Sequence, residues 1–316
     1  MFLIIAGLIV ACVIGYVVFS LIKHRKSDKI NNVEVDVNVK PNNSERLPIK
    51  KALLVGINKY KPELNADLRG CVNDVQDMRK ILINTYNFKP ENIRVVIDER
   101  ATKANILSRL AWLINDTKKG DELVFHYSGH GSQVADRNGD EVNDHLDEIM
   151  CPHDLNWDDP LTDDILAAII SKLPKGVNLT VISDSCHSGT ITRELGNPNN
   201  KNKPRYLPPP FDIQSRALDR KLPVNKIAKA PDDANQMHVL LSGCMDNQTS
   251  ADAYINNRFN GALTWALVDT LKEYPNKTYK EIHEIVLDKL AGGNYSQKPQ
   301  LSGNKNLINR KIFGGC

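Results

Sequence analysis

A 316-residue chain with 41% hydrophobic and 25% charged side chains has the make-up of an ordinary folded protein, which excludes wholesale disorder and leaves room for one large domain or two small ones. Its 41 basic residues nearly balance 38 acidic ones, and a net charge of +3 argues against a nucleic-acid or polyanion partner. The six cysteines, at positions 12, 71, 151, 186, 244 and 316, are scattered without a CxxC pair and read as free thiols.

Residues 2–22 carry no charge, and about 20 apolar residues suffice for a helix to cross a bilayer. Lys23-His24-Arg25-Lys26 follows at once. A cleaved signal peptide would place its positive charge before the apolar run, so a retained single-pass transmembrane helix is expected. The positive-inside rule keeps Lys23, Arg25 and Lys26 cytoplasmic, and the bulk of the chain with them. Residues 23–49 read as a basic, polar tether, although Val33, Val35, Val37 and Val39 alternate as in a short strand.

From residue 50 onward, short apolar runs alternate with helical periodicity. Lys51–Ile57 and Ile93–Ile97 read as strands, and Leu68–Tyr86 places Val72, Val75, Met78, Ile81 and Leu82 on one helical face. Thr102–Asp116 is a second helix with Thr102 as N-cap. A strand then runs into His130, and an acidic loop spans Asp136–Glu148. Leu161–Leu173 is a helix capped by Thr162, and Leu179–Ser183 is a strand leading to Cys186. Residues 196–235 hold seven prolines and many basic residues, and read as a long irregular insertion. The pattern resumes with a strand at His238–Ser242, helices at Ala262–Tyr274 and Tyr279–Leu290, and a closing strand at Lys311–Phe313. This alternation predicts an α/β fold, a mostly parallel sheet with helices on both faces.

Two of these strands end in reactive groups. Leu123–Gly131 finishes on Gly129-His130-Gly131, and Val181–Gly189 on Asp184-Ser185-Cys186-His187-Ser188-Gly189. Both clusters belong at the carboxyl edge of the sheet, where ligands bind in open α/β folds. A thiolate is the nucleophile of thiol chemistry, and an imidazole can activate it and later protonate a leaving amine. His130 and Cys186 are therefore the candidate catalytic pair. His187 is not the candidate base, because adjacent side chains on an extended backbone point opposite ways. Main-chain amides near Gly131 and Cys186 are placed to donate to a developing oxyanion.

The pair is spaced like the caspase pattern, but Asp184 stands where caspases carry glutamine. Tyr127-Ser128-Gly129-His130-Gly131 together with Asp184-Ser185-Cys186-His187-Ser188-Gly189 resembles the metacaspases and their bacterial caspase-like relatives. Ala52–Tyr60, Gly70–Asp74, Pro174–Val177 and Lys298–Leu301 extend the resemblance over about residues 50–315, less the Pro-rich insertion. It implies a caspase–hemoglobinase αβα sandwich and a thiol peptidase that cuts after Arg or Lys. It also implies a basic-substrate pocket at Cys71, Asp74, Ser128 and Asp184. A desolvated substrate cation needs a compensating carboxylate, which Asp74 and Asp184 supply. The family's calcium ligands map onto Asp147, Asp163 and Asp164, and oxygen-rich clusters suit that ion. Arg193, followed by Glu194, stands where a further acidic ligand is expected, which leaves calcium dependence open.

The sequence and this resemblance thus lead to a membrane-anchored cysteine endopeptidase acting on peptides or proteins with Arg or Lys at the cleavage site, and the resemblance implies a monomer. Self-cleavage is expected within residues 193–230, a basic, Pro-rich stretch just past the nucleophile. The rival is a non-catalytic caspase-like scaffold that recruits partners at the membrane. A metal-binding regulatory module is a third reading, but it leaves the Gly-His-Gly turn unexplained.

Overall fold

The apolar runs become a sheet because the central ones, Lys50–Gly56, Glu122–Ser128 and Asn178–Asp184, are buried on both faces, as parallel strands require. In a computed structural model, residues 46–136, 146–186, 202–219, 238–245, 248, 250–293 and 295–316 are described. In chain order they form β1 (Lys50–Gly56), α1 (Cys71–Asn84), β2 (Ile93–Ile97), α2 (Lys103–Ile114), β3 (Glu122–Ser128), β4 (Gly131–Ala135), β5 (Leu146–Met150) and β6 (Leu161–Thr162). There follow α3 (Asp163–Ile170), β7 (Asn178–Asp184), β8 (Lys203–Pro204), α4 (Phe211–Asp219), β9 (His238–Ser242), β10 (Ala251–Ile255) and β11 (Arg258–Gly261). Then come α5 (Ala262–Glu273), α6 (Tyr279–Gly292), β12 (Gln300–Ser302) and α7 (Lys305–Ile308).

The central sheet has the order β12-β9-β7-β3-β1-β2. All its pairings are parallel except β12 against β9. Alternate residues of the strands face two helical layers. Leu54, Val124, Ile182 and Leu241 pack with Met78, Leu82, Leu267 and Ile282 of α1, α5 and α6. On the other face Phe125 and Leu179 meet Leu110, Leu113 and Ile169 of α2 and α3. Both expected N-caps are made: Thr102 accepts from Asn105 N at 3.2 Å, and Thr162 from Ile165 N at 3.4 Å. The architecture is the mixed α/β one expected, with a mostly parallel central sheet.

Several elements differ from the sequence reading. Lys311–Phe313 does not close the sheet. Residues 312–314 form a 3₁₀ turn, with Phe313 at a φ of 51°. The sheet ends instead at β12, where Leu301 pairs with Leu241. Phe313 is apolar because it plugs the core, edge-on to Tyr86, Phe88 and Tyr279. Burial of such a side chain contributes about 2–3 kcal/mol. Asp147 and Glu148 do not lie in a loop. They belong to β5, paired antiparallel with Val134 and Gln133 of β4. Within the supposedly irregular insertion, β8 joins β10 and α4 is a regular nine-residue helix. Among the described residues no helix is long and apolar enough to cross a membrane. The expected anchor at 2–22 and most of the tether lie outside those residues, as do His187, Arg193 and Glu194.

Candidate active site

The register of β3 against β7 explains the spacing of the two motifs. Ser128 pairs with Asp184, the last residues of their strands, so His130 and Cys186 each lie two residues past a matched pair at one edge. The turn between strand and imidazole must be glycine at 129. A Cβ there would lie 2.7 Å from the Tyr127 hydroxyl and 2.9 Å from that of Tyr60. These two tyrosines hold the turn. His130 N donates to Tyr60 Oη at 2.8 Å, and Tyr127 Oη donates to His130 O at 2.7 Å.

The imidazole is oriented by main chain. His130 Nε2 lies 2.7 Å from Ala66 O, a carbonyl that can only accept, so Nε2 carries the proton. Nδ1 then presents a lone pair, and it is buried without a hydrogen-bond partner among the described residues. The Tyr60 ring packs 5.0 Å from the imidazole. Burial is the main force on its protonation and pushes the pKa down to about 4, so the ring is neutral near pH 7. Cys186 is also buried, and it accepts a hydrogen bond from Ser250 N. Burial, and next the adjacent Cys244 thiol, raise its pKa well above that of a free thiol. The resting pair is therefore thiol and neutral imidazole.

Into this edge runs a segment of the chain itself. Arg205 O accepts from Gly131 N at 3.0 Å and from Cys186 N at 3.1 Å. Those are the two amides that the sequence offered for an oxyanion. The Arg205 side chain is fully buried. Its Nη2 lies 2.8 Å from Asp74 Oδ2 and 3.2 Å from Asp252 Oδ1, and its Nη1 3.3 Å from Asp184 Oδ1. Nη1 also donates to Ser128 Oγ at 2.8 Å. The chain continues past the site, where Leu207 N donates to Gly131 O at 2.9 Å.

The carboxylates are fixed by donors other than the guanidinium. Asp184 Oδ2 accepts from Thr264 N at 2.8 Å and Thr264 Oγ1 at 2.7 Å, and its Oδ1 from Ser250 Oγ at 2.6 Å. Asp74 accepts from Gly261 N at 3.0 Å and Asn260 Nδ2 at 3.0 Å. Burial pushes the Asp74 carboxyl up to about 7, with Asp184 adding like-charge repulsion against the pull of Arg205. Cys71, at the start of α1, is buried against the same group, and burial raises its thiol pKa.

The structure thus brings together Asp74, Ser128, Gly131, Asp184, Cys186 and Arg205, with His130 and Cys71 beside them. Sequence reasoning missed Asp252 and Ser250, which sit on and just before β10. It counted Arg205 only as one basic residue among many. The Lys203-Pro204-Arg205 run was the available signal, since proline holds an extended backbone before a cation. The calcium candidates lie elsewhere. Asp147 is on β5, and Asp163 and Asp164 open α3, where a helix dipole favours acids. Among the described residues no group of three or more His, Cys, Asp or Glu side chains is gathered closely enough to hold a metal ion.

Beneath the pocket His126 is fully buried, with Nε2 3.2 Å from Thr264 Oγ1. Burial lowers its pKa to about 4. The unfolded chain protonates this ring near pH 6.5 and the folded chain does not, so stability is lost as the pH falls from about 6.5 to about 4. The expected loss from this one group is about 3 kcal/mol. Urea unfolding across that range should show the slope in wild type and a flatter one in His126→Asn. Equal slopes would assign the acid lability elsewhere.

A pocket for one cation, a carbonyl seat and a buried thiol at the edge of a caspase-like sheet suit one class of protein, the cysteine peptidases. A family model described as metacaspase, peptidase C14 domain, matches residues 50–194. Metacaspase-1 of Scheffersomyces stipitis is 35% identical over 290 residues, which cover 80% of this chain and 70% of that relative. Metacaspase-1B of Neurospora crassa is 35% identical over 295 residues, covering 83% of this chain and 68% of the relative. Among solved structures, protein GSU0716 from Geobacter sulfurreducens matches with a TM-score of 0.64 and 27% identity, over 85% of this chain and 100% of that one. The chain belongs to the metacaspase family and is a cysteine-type endopeptidase.

Proposed function

We propose that the enzyme cleaves after Arg or Lys with His130 and Cys186 as its catalytic pair, and that its first substrate is its own Arg205–Tyr206 bond. One observation carries this reading. The Arg205 carbonyl lies on both edge amides while its guanidinium lies among three carboxylates. Charge-assisted bonds of this kind are the strong ones, and together they fix both the cation and the carbonyl beside it.

The chemistry follows from the geometry. Cys186 Sγ attacks the Arg205 carbonyl carbon while His130 Nδ1 takes the thiol proton. Negative charge on the carbonyl oxygen is met by Gly131 N and Cys186 N. As the carbon–nitrogen bond breaks, Nδ1 gives that proton to Tyr206 N, which leaves as a new amino terminus. Water then attacks the thioester, the imidazole again relays the proton, and the thiol is restored with Arg205 as a free carboxylate. Lysine also suits the pocket as a cation, though it lacks the planar fork that engages several carboxylates at once.

Residues 2–22 hold this monomeric enzyme in the membrane with its catalytic part cytoplasmic. The test uses membranes from cells expressing the full chain or Cys186→Ala. Fluorogenic peptides ending in Arg, Lys or Asp are added with and without calcium, and the chain's mass is followed. Expected are turnover of the Arg and Lys peptides, none of the Asp peptide, and fragments ending at Arg205 in wild type alone. Cleavage after Asp would remove the pocket reading, and identical intact masses would remove self-cleavage. Activity found only in the soluble fraction would remove the anchor. The calcium arm tests whether Asp147, Asp163 and Asp164, with ligands from outside the described residues, bind a regulatory cation.

A further inference from the structure

The Lys298–Leu301 stretch shared with the metacaspases belongs to a clasp that begins one residue earlier. Gln297, in the segment that leads into β12, is buried. Its Nε2 donates to Gly243 O at 2.8 Å and to Ser250 Oγ at 3.3 Å, and its Oε1 accepts from Ala251 N at 3.0 Å. One side-chain amide therefore joins the chain leaving β9 to the chain entering β10. The neighbouring residues close the clasp. Gln248 Oε1 accepts from Lys298 N at 2.7 Å, and Gln248 Nε2 donates to Ser296 O at 2.9 Å. Pro299 O lies 2.8 Å from His283 Nε2, which must donate to it, so the clasp is tied to α6.

The clasp aims Ser250, which meets the site through all its polar groups. Its N–H donates to Cys186 Sγ, its carbonyl accepts from Arg205 N at 2.9 Å, and its hydroxyl donates to Asp184 Oδ1 at 2.6 Å. Gln297 grips Ser250 at the hydroxyl and at the next N–H along the chain, which restrains the backbone torsions that point its amide. A hydrogen bond to the ionised form of a group favours that form, and a thiolate is a stronger acceptor than a thiol. Burial and then the Cys244 thiol keep the proton on Cys186, and the Ser250 amide works against them. A buried sulfur that must shed its proton thus depends on how well one N–H is aimed.

We infer that Gln297 is a positioning residue for catalysis: it holds the Ser250 amide on the Cys186 sulfur, where that amide stabilises the thiolate that attacks the substrate carbonyl. This rests on the reading of Cys186 as the nucleophile. Gln297 acts through Ser250, so its loss should lower turnover and leave the cation pocket in place. Asp184, Asp74 and Asp252 keep their own donors in Thr264 N, Gly261 N and Gly70 N.

The test compares the purified full chain with Gln297→Met, which keeps the bulk and loses the hydrogen bonds, and with Gln248→Ala. Alkylation of Cys186 by iodoacetamide is followed against pH, each cysteine being read in its own tryptic peptide. In Gln297→Met the midpoint should rise by about one unit, and kcat for an Arg peptide at neutral pH should fall about tenfold with KM within about twofold. Gln248→Ala loosens the clasp from its partly exposed side and should shift the midpoint the same way, with a fall in kcat of about two- to threefold. Buried Cys151 should stay unreactive in both. If it opens in Gln297→Met, that variant is misfolded and Gln248→Ala decides. An unshifted Cys186 midpoint in a folded variant, or a rise in KM alone, would overturn the role of Gln297. With Cys186→Ala inactive, that result leaves the nucleophile standing. Turnover retained by Cys186→Ala would remove the nucleophile and this inference together.

Discussion

Replacing Arg205 by glutamine is expected to slow cutting between residues 205 and 206 by about 10²- to 10³-fold. The estimate comes from removing one partner of a buried, hydrogen-bonded charge cluster, which costs about 3–4 kcal/mol. Glutamine keeps two donors but brings no charge to Asp74, Asp184 and Asp252, so nothing offsets their removal from water. Arg205→Lys restores the charge at a single point and should cost about tenfold, because an ammonium cannot engage three carboxylates in a planar fork. Mass spectrometry of timed samples reads both rates, and Edman sequencing identifies Tyr206 as the new amino terminus. The variant also carries its own folding control. Once glutamine no longer anchors the segment, the pocket is open, and Arg205→Gln should hydrolyse added Arg peptides at least as fast as the uncut wild type. Cutting of Arg205→Gln at the wild-type rate and position would mean that the guanidinium is a structural strut and takes no part in recognition.

The sequence revealed the reactive groups more fully than their surroundings, for a physical reason. His130 and Cys186 each end a continuous apolar run, and a parallel pair of such runs has one register that buries both. The spacing of the two motifs is that register, so their meeting at one edge was legible before the fold was. Asp252 was not legible, because it lies on a short strand of a three-stranded sheet and borrows its burial from Arg205 and Gly70. Residues whose roles arise from distant contacts leave no local periodicity. Arg205 shows the same limit: among the described basic residues of its stretch, its contacts with Asp74, Asp184 and Asp252 on three distant elements set it apart. Phe313 shows the converse error. An apolar triplet at the chain's end has the pattern of a strand, yet a left-handed backbone at Phe313 makes it a plug among aromatic rings.

A single methyl group at position 261 is expected to close the pocket. Gly261 has a φ of −69° and a ψ of 134°, which any residue adopts, so alanine there brings no backbone strain. Its Cβ would nonetheless stand 2.7 Å from Arg205 Cζ, and nearer still to Arg205 Nη1 and Asp184 Oδ2. The carboxylate cannot give way, because Thr264 holds Oδ2 through both its amide and its hydroxyl. The cation must therefore retreat, and the main chain at 261 must shift as well, because the methyl also stands against the fixed Asp184 Oδ2. Overpacking of this kind costs about 1–3 kcal/mol, which corresponds to a fall of roughly 10- to 100-fold in kcat/KM for Arg peptides. Lysine ends in a compact ammonium without the wide fork that meets the methyl, so Lys peptides should lose less and the Arg-to-Lys preference should drop. Self-cleavage after Arg205 should slow in step with the Arg peptides. Thermal unfolding should fall only by an amount in keeping with that overpacking, and retained turnover of Lys peptides separates a blocked pocket from a damaged fold. An unchanged Arg-to-Lys ratio in Gly261→Ala would show that the substrate cation binds somewhere other than among Asp74, Asp184 and Asp252.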